Sequence, residues 1–404
     1  MQEKEIIIIG AGISGLYAAY KLKSIHENSK ITILEQNRMF GGRMGSQSFE
    51  GSDIPTGAGV GRKRKDKLLI NLLNELKISY GEFKSEHYYS NTLGCRSSNV
   101  KKTFMKLRKR YRPCKQTFKQ YAESILGPEK YKTFVTCSGY TDYEQQDAYD
   151  TLYHYGFNDN YDNWTALSIP WTQLLLALVH KIEMRNIHLR SCVEKIERVS
   201  DNHFFVYTNK HVYTCNMIIV ATAIDSIRRL LPRENIYKGI KGQTFLRLYG
   251  KFSECSIPIM KEYVKGYTIV PQPLQKIIPM NPDNGVYVIA YNDNKNSKKL
   301  KKWLENTEEN REKLCTLIKK ALCIPTETKI YLTSIVDFYW DIGTHYYTPL
   351  DRRKYNNRCE FIEDAQHPME NVLVVGEAVS INQGWVEGAL NSVERVCFNL
   401  LHMI

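Results

Sequence analysis

No stretch of the 404-residue sequence approaches the roughly 20 consecutive apolar residues that a bilayer-spanning helix needs, so no membrane partner is expected. The ten cysteines, scattered from Cys95 to Cys397, include no CxxC pair. That removes the usual spacing of a zinc site or a dithiol redox motif. Reduced, mostly buried thiols in a cytoplasmic protein are expected instead. There is no Ser–His–Asp order, no His-rich metal set, no internal repeat and no low-complexity linker. The chain begins MQEK and runs directly into a strand pattern, so no secretory leader is expected, and Ile404 ends it without an apolar anchor. Acidic residues are in deficit: 43 against 56 Lys and Arg, a formal net charge of +13. Two basic stretches carry much of the excess, Arg62 to Lys67 (RKRKDK) and Lys101 to Lys119, the latter without an acid. A solvated face is the expected use. No recognition module accompanies the charge, so nucleic acid is not expected as a partner.

What is present begins at the first strand. Glu5 to Leu16 read EIIIIGAGISGL, a β-branched run feeding a glycine turn and then a helix over 13–23. Gly10, Gly12 and Gly15 form GxGxxG, which suits a tight turn, close backbone approach to a pyrophosphate, and close helix–strand packing. The helix N-terminus adds unpaired N–H groups. Ile31 to Leu34 form the next strand, and Glu35 ends it where a carboxylate accepts ribose hydroxyl hydrogen bonds. Phe40 to Met44 (FGGRM) then offer Gly41 and Gly42 for phosphate approach and Arg43 for a charge-assisted bond. Thr56 to Gly61 (TGAGVG) give a bare backbone suited to lying against a flat ring. Far along the chain, Asn371 to Glu394 read NVLVVGEAVSINQGWVEGALNSVE: a second buried strand, a loop with Trp385, and a helix.

Between these ends the pattern changes. Aromatic residues are dense from about 81 to 165, which reads as a mostly helical insertion. Residues 172–184 look helical. Met217 to Ala221 are a buried strand followed by a helix through Leu231. Strands are expected at Thr244–Tyr249, Val286–Tyr291 and Lys329–Phe338, with a charged helix at roughly Asn296–Leu322. Asp142, Glu144, Asp147 and Asp150 suit a solvated helix start.

In GAGISGLYAAYKL, ILEQNRMFGGRM, TGAGVG, the Val193 region and VVGEAVSINQGWVEGAL, the sequence resembles the flavin-containing amine oxidases: monoamine, polyamine and L-amino-acid oxidases. The resemblance implies an α/β protein. A Rossmann-like FAD-binding domain, discontinuous in sequence, would take 1–80, 181–238 and 365–404. An α+β substrate-binding domain would take 81–180 and 239–364. Gly10, Gly12, Ile13, Ser14 and Gly15 would hold pyrophosphate. Glu35 and Gln36 would take the adenosine ribose, and Gly42 and Arg43 a phosphate or the ribityl side. Gly57, Ala58, Gly59 and Val60 would lie near the isoalloxazine, and Val193 would meet adenine through its backbone. Gly376 and Glu377 would reach the ribityl chain or pyrophosphate. Trp385, Val386 and the following helix N-terminus would face the pyrimidine end, where a helix dipole stabilises an anionic ring.

The resemblance also implies a reactive end. Trp385 and Tyr346, the latter with Tyr347 as rival, would flank the substrate nitrogen. Some relatives attach flavin to a cysteine where this sequence has His345, so noncovalent FAD is expected. Many carry a lysine where this sequence has Gln243, which brings no charge and puts rapid oxygen use in question. Arg62 is a candidate grip for a substrate carboxylate. The implied activity is an FAD-dependent amine oxidoreductase. A hydride equivalent would pass from an amine or amino-acid C–N carbon to flavin, giving an imine and, with oxygen, hydrogen peroxide. A relative acting on C–C bonds, or a flavin-holding interaction protein with little turnover, are the alternatives.

Overall fold

The computed structural model describes residues 4–25, 29–232 and 235–402, with side chains to residue 397. Its centre is a five-stranded parallel sheet in the order Val372–Val374, Met217–Val220, Glu5–Ile9, Lys30–Leu34, Ile187–His188. The first and last thirds of the chain therefore meet in one sheet. The isoleucine run explains why Glu5–Ile9 lies in the middle: both faces of a parallel sheet are covered, so a continuous apolar strand is tolerated there. Ile6 and Ile8 join a core formed with the helices Ile13–Ile25, Trp171–Ile182 and Val386–His402. Ile7 and Ile9 point the other way. They pack with the helices Ile224–Leu230 and Arg358–Gln366 and with an antiparallel three-stranded sheet over residues 193–215.

A second, six-stranded sheet runs Leu332–Tyr347, Ile240–Phe252, Val286–Asp293, Lys276–Asn281, Tyr267–Ile269, His87–Tyr89. Its first two strands are longer than the pattern suggested. They continue past the apolar alternation because Gly242 and Gly343 let the ribbon close where a side chain would strike Ile342 or Phe245. The charged helix expected at 296–322 is two helices, Asn294–Leu300 and Glu308–Leu322. Thr307 starts the second by accepting the Asn310 N–H, and that cap breaks the run.

The aromatic stretch forms a helical layer of Ser97–Arg110, Phe118–Leu126, Pro128–Ser138 and Ala148–Tyr153. Phe157 stacks on Phe104 at 4.3 Å and on Phe134 at 5.4 Å, so the rings are this layer's core. Two expectations are corrected here. Cys95 and Cys137 form a disulfide, their Cα atoms 5.6 Å apart, while the other eight cysteines are free. Packing of the Pro128–Ser138 helix against the Ser97–Arg110 helix and the segment before it brings together two cysteines 42 residues apart, which spacing could not show. Among the acids of 142–150, Asp147 does start a helix, accepting the Tyr149 and Asp150 N–H groups, but the start is not solvated. Asp142, Asp147 and Asp150 are buried, and Asp150 holds Arg358 at 2.7 Å.

The basic stretches behave differently from each other. In the first, Arg62 pairs with Asp66 and Asp159, Lys63 with Glu82, and Lys65 with Asp159. In the second, the Ser97–Arg110 helix buries Val100, Phe104 and Leu107 and leaves its cations on the outer face. Among the described residues, no helix is long and apolar enough to cross a membrane.

Candidate functional site

The glycine turn is built by contacts that only glycine permits. A Cβ on Gly10 (φ +106°) would meet Ala221 O at 2.6 Å, and one on Gly15 would strike the Gly10 carbonyl. Gly12 differs: a Cβ there would meet nothing within 4 Å. Its bareness is not demanded by packing and leaves open space at the helix N-terminus. The GGR turn docks onto this loop. Gly41 N–H donates to Ala11 O at 2.8 Å, and Gly42 (φ +58°) lies against Gly12. From the other end of the chain, Gly376 (φ +121°) faces Ser14, and Ser392 Oγ accepts its N–H at 2.7 Å. Ile13 and Ser14 are buried in the first turn of the helix.

Glu35 is buried at the end of its strand. It accepts the Ala11 N–H at 2.8 Å and two bonds from Asn37. Its backbone carbonyl takes the Ser191 N–H at 2.7 Å, which brings the Val193 segment alongside. Val193 is buried at the start of its strand, and Gln36 is exposed beside Cys192.

Glu377 ties three segments together. Its carboxylate accepts from Arg43 Nη1 at 2.9 Å, from the His345 N–H at 2.9 Å, from His345 Nδ1 at 2.5 Å and from the Gly384 N–H at 2.7 Å. His345 Nε2 faces the Ile224 N–H at 3.2 Å, and Nδ1 faces the Glu377 carboxylate. Burial works against the charged carboxylate. The His345 and Arg43 interactions outweigh it and hold Glu377 well below the usual carboxylate range.

TGAGVG is pinned from both sides. The Ala58 N–H donates to Arg43 O, Trp340 Nε1 to Thr56 O, and Tyr249 OH to Pro55 O. Gly59 has no room for a side chain because the Arg247 guanidinium lies against it. Val60 continues this half-buried edge to the strand at Gly61.

Trp385 and Val386 are half-buried where the last helix begins. The Arg62 guanidinium lies 3.7 Å from the Trp385 ring centre. Arg62 gives Nε and Nη2 to Asp66 and Nη1 to Asp159, so its fork is occupied by the protein's own carboxylates. Tyr346 and Tyr347 point to opposite faces of their strand. Tyr347 is buried, with its hydroxyl on Ser380 O and Phe361 against its ring, whereas Tyr346 is half-buried. Gln243 Nε2 donates to Thr344 Oγ1 at 3.0 Å, and its Oε1 accepts from Asn294 at 3.2 Å. It lines a small polar cavity with Asp142, Gln146, Tyr155, His345 and Gln383.

A family profile described as an NAD(P)-binding Rossmann-like domain matches residues 8–76. Putrescine oxidase bound to putrescine superposes with a TM-score of 0.78 at 14% identity, over 99% of each chain. Cyclohexylamine oxidase from Brevibacterium oxydans IH-35A gives 0.75 at 14% identity, over 100% of this chain and 99% of that one. The chain has the amine-oxidase fold. A protein designated a protoporphyrinogen oxidase, from Exiguobacterium sp. 255-15, shares it at TM-score 0.69 and 14% identity, over 99% of each chain. In sequence, an uncharacterised protein of Acanthamoeba polyphaga mimivirus is 22% identical over 98% of this chain and 93% of its own length.

Within this fold the residues present fit an FAD. The cradle at Gly12, Gly42, Ser14 and Gly376 is space that a Cβ on Gly12 would enter without touching protein, as a phosphate site requires. Glu35 and Val193 stand together at the far end of the same strand edge. Two contributors escaped sequence reasoning. Glu387 accepts the Leu68 and Leu69 N–H groups at 3.0 Å each, capping the helix Lys67–Glu75 and fixing the start of the last helix. Asp142 enters the cavity from a segment with no recognisable motif.

Proposed function

We propose that the protein is a noncovalent FAD-dependent amine oxidoreductase. The observation that carries this reading is the open cradle around Gly12, assembled from both ends of the chain in a fold shared with putrescine and cyclohexylamine oxidases. Ile13, Ser14 and Gly15 at the helix start, with Gly10, Gly42 and Gly376, would hold the pyrophosphate. Glu35 and Gln36 would hold the ribose, and Val193 the adenine. Gly57, Ala58, Gly59 and Val60 would support the ring, with Val386 and its helix dipole at the pyrimidine end. When bound, FAD supplies the hydride acceptor for an amine C–N carbon, giving an imine and, with oxygen as the final acceptor, peroxide.

The chain's own residues do the rest. Glu377 holds Arg43 and His345 in place, so the floor of the site is set before substrate enters. Trp385, braced by Arg62, and Tyr346 supply aromatic walls. Gln243 is fixed at both ends and can orient water without adding charge. Both ring nitrogens of His345 are engaged, so neither is free to bond flavin, which supports noncovalent binding. Acid precipitation should leave the yellow colour in the supernatant.

A C–C oxidase or desaturase is the second reading, kept because the Exiguobacterium protein shares the fold. The test is the absorption spectrum of purified protein, then anaerobic titration with amines and amino acids. Bound FAD that bleaches with an amine is the expected result. A folded protein that takes up no flavin, or flavin that no amine bleaches, would overturn the proposal.

A further inference from the structure

The second basic stretch is left without a use by the flavin site. No acidic residue occurs between Glu86 and Glu123, and the Ser97–Arg110 helix puts six cations on its exposed side, from Lys101 to Arg110. Lys101 pairs with Asp162 at 3.0 Å. Lys102, Lys106, Arg108, Lys109 and Arg110 have no carboxylate within 4.0 Å among the described residues. Glu123, the next acid along the chain, faces Lys119 at 3.8 Å instead. The cations of the last turn gain from the helix dipole. Lys102 and Lys106 lie before that turn and, four residues apart, repel each other. The fold itself therefore gains little from this charge.

Met105 stands among these cations, 47% exposed. Residues three and four apart are neighbours on a helix, so its borders are Lys101, Lys102, Arg108 and Lys109. Tyr153 is exposed alongside, with the Arg108 guanidinium 4.7 Å from its ring centre. The face is a ring of cations about an apolar tip.

An anionic bilayer surface has matching layers: charged head groups outside and acyl chains directly beneath. Long cationic side chains reach the head groups while an apolar tip passes between them. The phosphates of a nucleic acid would satisfy the cations but offer Met105 only hydrated oxygens. We propose that this face docks the protein on an anionic lipid surface, with Lys102, Lys106, Lys109 and Arg110 on the head groups and Met105 at the acyl boundary. The contact is peripheral and needs no spanning helix. The helix does not insert, because Val100, Phe104 and Leu107 are already covered by the aromatic layer. An exposed tyrosine suits the same interface.

The test is sedimentation of the full chain with vesicles of phosphatidylcholine alone, and of phosphatidylcholine with about 30% phosphatidylserine. Binding should require phosphatidylserine and weaken at least about tenfold between roughly 0.1 and 0.5 M salt. Each cation near such a surface counts for about fivefold in affinity. Lys102→Gln, Lys106→Gln, Lys109→Gln and Arg110→Gln combined should therefore lose at least about a hundredfold. All four side chains are exposed, so the combined variant should melt within about 2 °C of the wild type. Met105→Gln should lose about fivefold on these vesicles and nothing on duplex DNA or single-stranded RNA at the same salt. No binding with phosphatidylserine, equal binding to both vesicles, or an unchanged combined variant overturns the proposal. Tighter retention on DNA or RNA than on vesicles, with Met105→Gln neutral on all of them, also overturns it and gives the face to nucleic acid. Neither flavin nor amine enters these measurements, so their outcome is independent of the amine reading.

Discussion

Replacing Glu377 by glutamine removes one charge from the point where the GGR turn, the Leu332–Tyr347 strand and the last loop converge. Four donors meet this carboxylate: Arg43 Nη1, His345 Nδ1, and the His345 and Gly384 N–H groups. An amide has one acceptor oxygen, so whichever way the substituted side chain turns, its NH2 faces one pair of donors. Arg43 is also left without its carboxylate. Arg43 is half-buried, but His345 and Glu377 are buried, and breaking a buried pair in this way costs about 3–5 kcal/mol. Unfolding entropy near 2.1 cal/mol/K per residue over 404 residues is about 0.85 kcal/mol/K. A loss of ~4 kcal/mol therefore lowers Tm by about 5 °C. Calorimetry of the wild type and Glu377→Gln at neutral pH, with and without FAD, measures this. The pH dependence follows from the depressed folded-state value. The stabilisation is fully present above the unfolded glutamate value of about 4.3 and is lost as pH falls below it, and the variant should lack that part of the acid slope. A Tm within about 1 °C of the wild type would show that the four bonds carry little energy and that the reasoning is wrong.

Gly12→Ala should melt within about 1 °C of the wild type, because its Cβ meets no protein atom, yet lose at least about tenfold in FAD affinity by equilibrium titration. Gly15→Ala should fail at the folding stage, since its Cβ strikes the Gly10 carbonyl; equal behaviour of the two variants would refute the cradle. Cys137→Ser opens a loop closed over 42 residues, an entropic loss of up to ~4 kcal/mol, read as lower resistance to urea. Mass spectrometry after alkylation without reductant should find Cys95 and Cys137 unlabelled, and free thiols there would place the protein in a reduced state.

Most of the parallel sheet was legible because four of its strands are short runs rich in β-branched residues, and both faces of such a strand must be covered. Residues 6–9, 217–220 and 372–374 show this in their burial. The choice between Tyr346 and Tyr347 was not legible, since both precede the same proline and only the pleat sends one into the core. Nor could spacing reveal that Arg62 meets Asp159, 97 residues away, and so braces Trp385 rather than standing free for a carboxylate. The Cys95–Cys137 pair and the burial of Asp142 and Asp150 share that cause. Each depends on how the helical layer docks, and local sequence carries no record of docking.

The bare stretch TGAGVG shows how one residue can be read in two ways. From sequence, Gly59 is room for a flat ring. In the structure, that room is bounded by the Arg247 guanidinium, which also lies 4.3 Å from the Tyr291 ring centre. Gln243, where the resemblance implies a lysine, is neutral and tethered to Thr344 and Asn294. A fixed cation on the same strand thus stands beside the segment expected to meet the ring, four residues from where the resemblance looked for one. If that charge does the work of the missing lysine, Arg247→Met should lower the flavin reduction potential and weaken sulfite binding to the oxidised flavin, whereas Gln243→Met should leave both unchanged. Equal effects of the two substitutions would mean that position on the strand, rather than charge, decides.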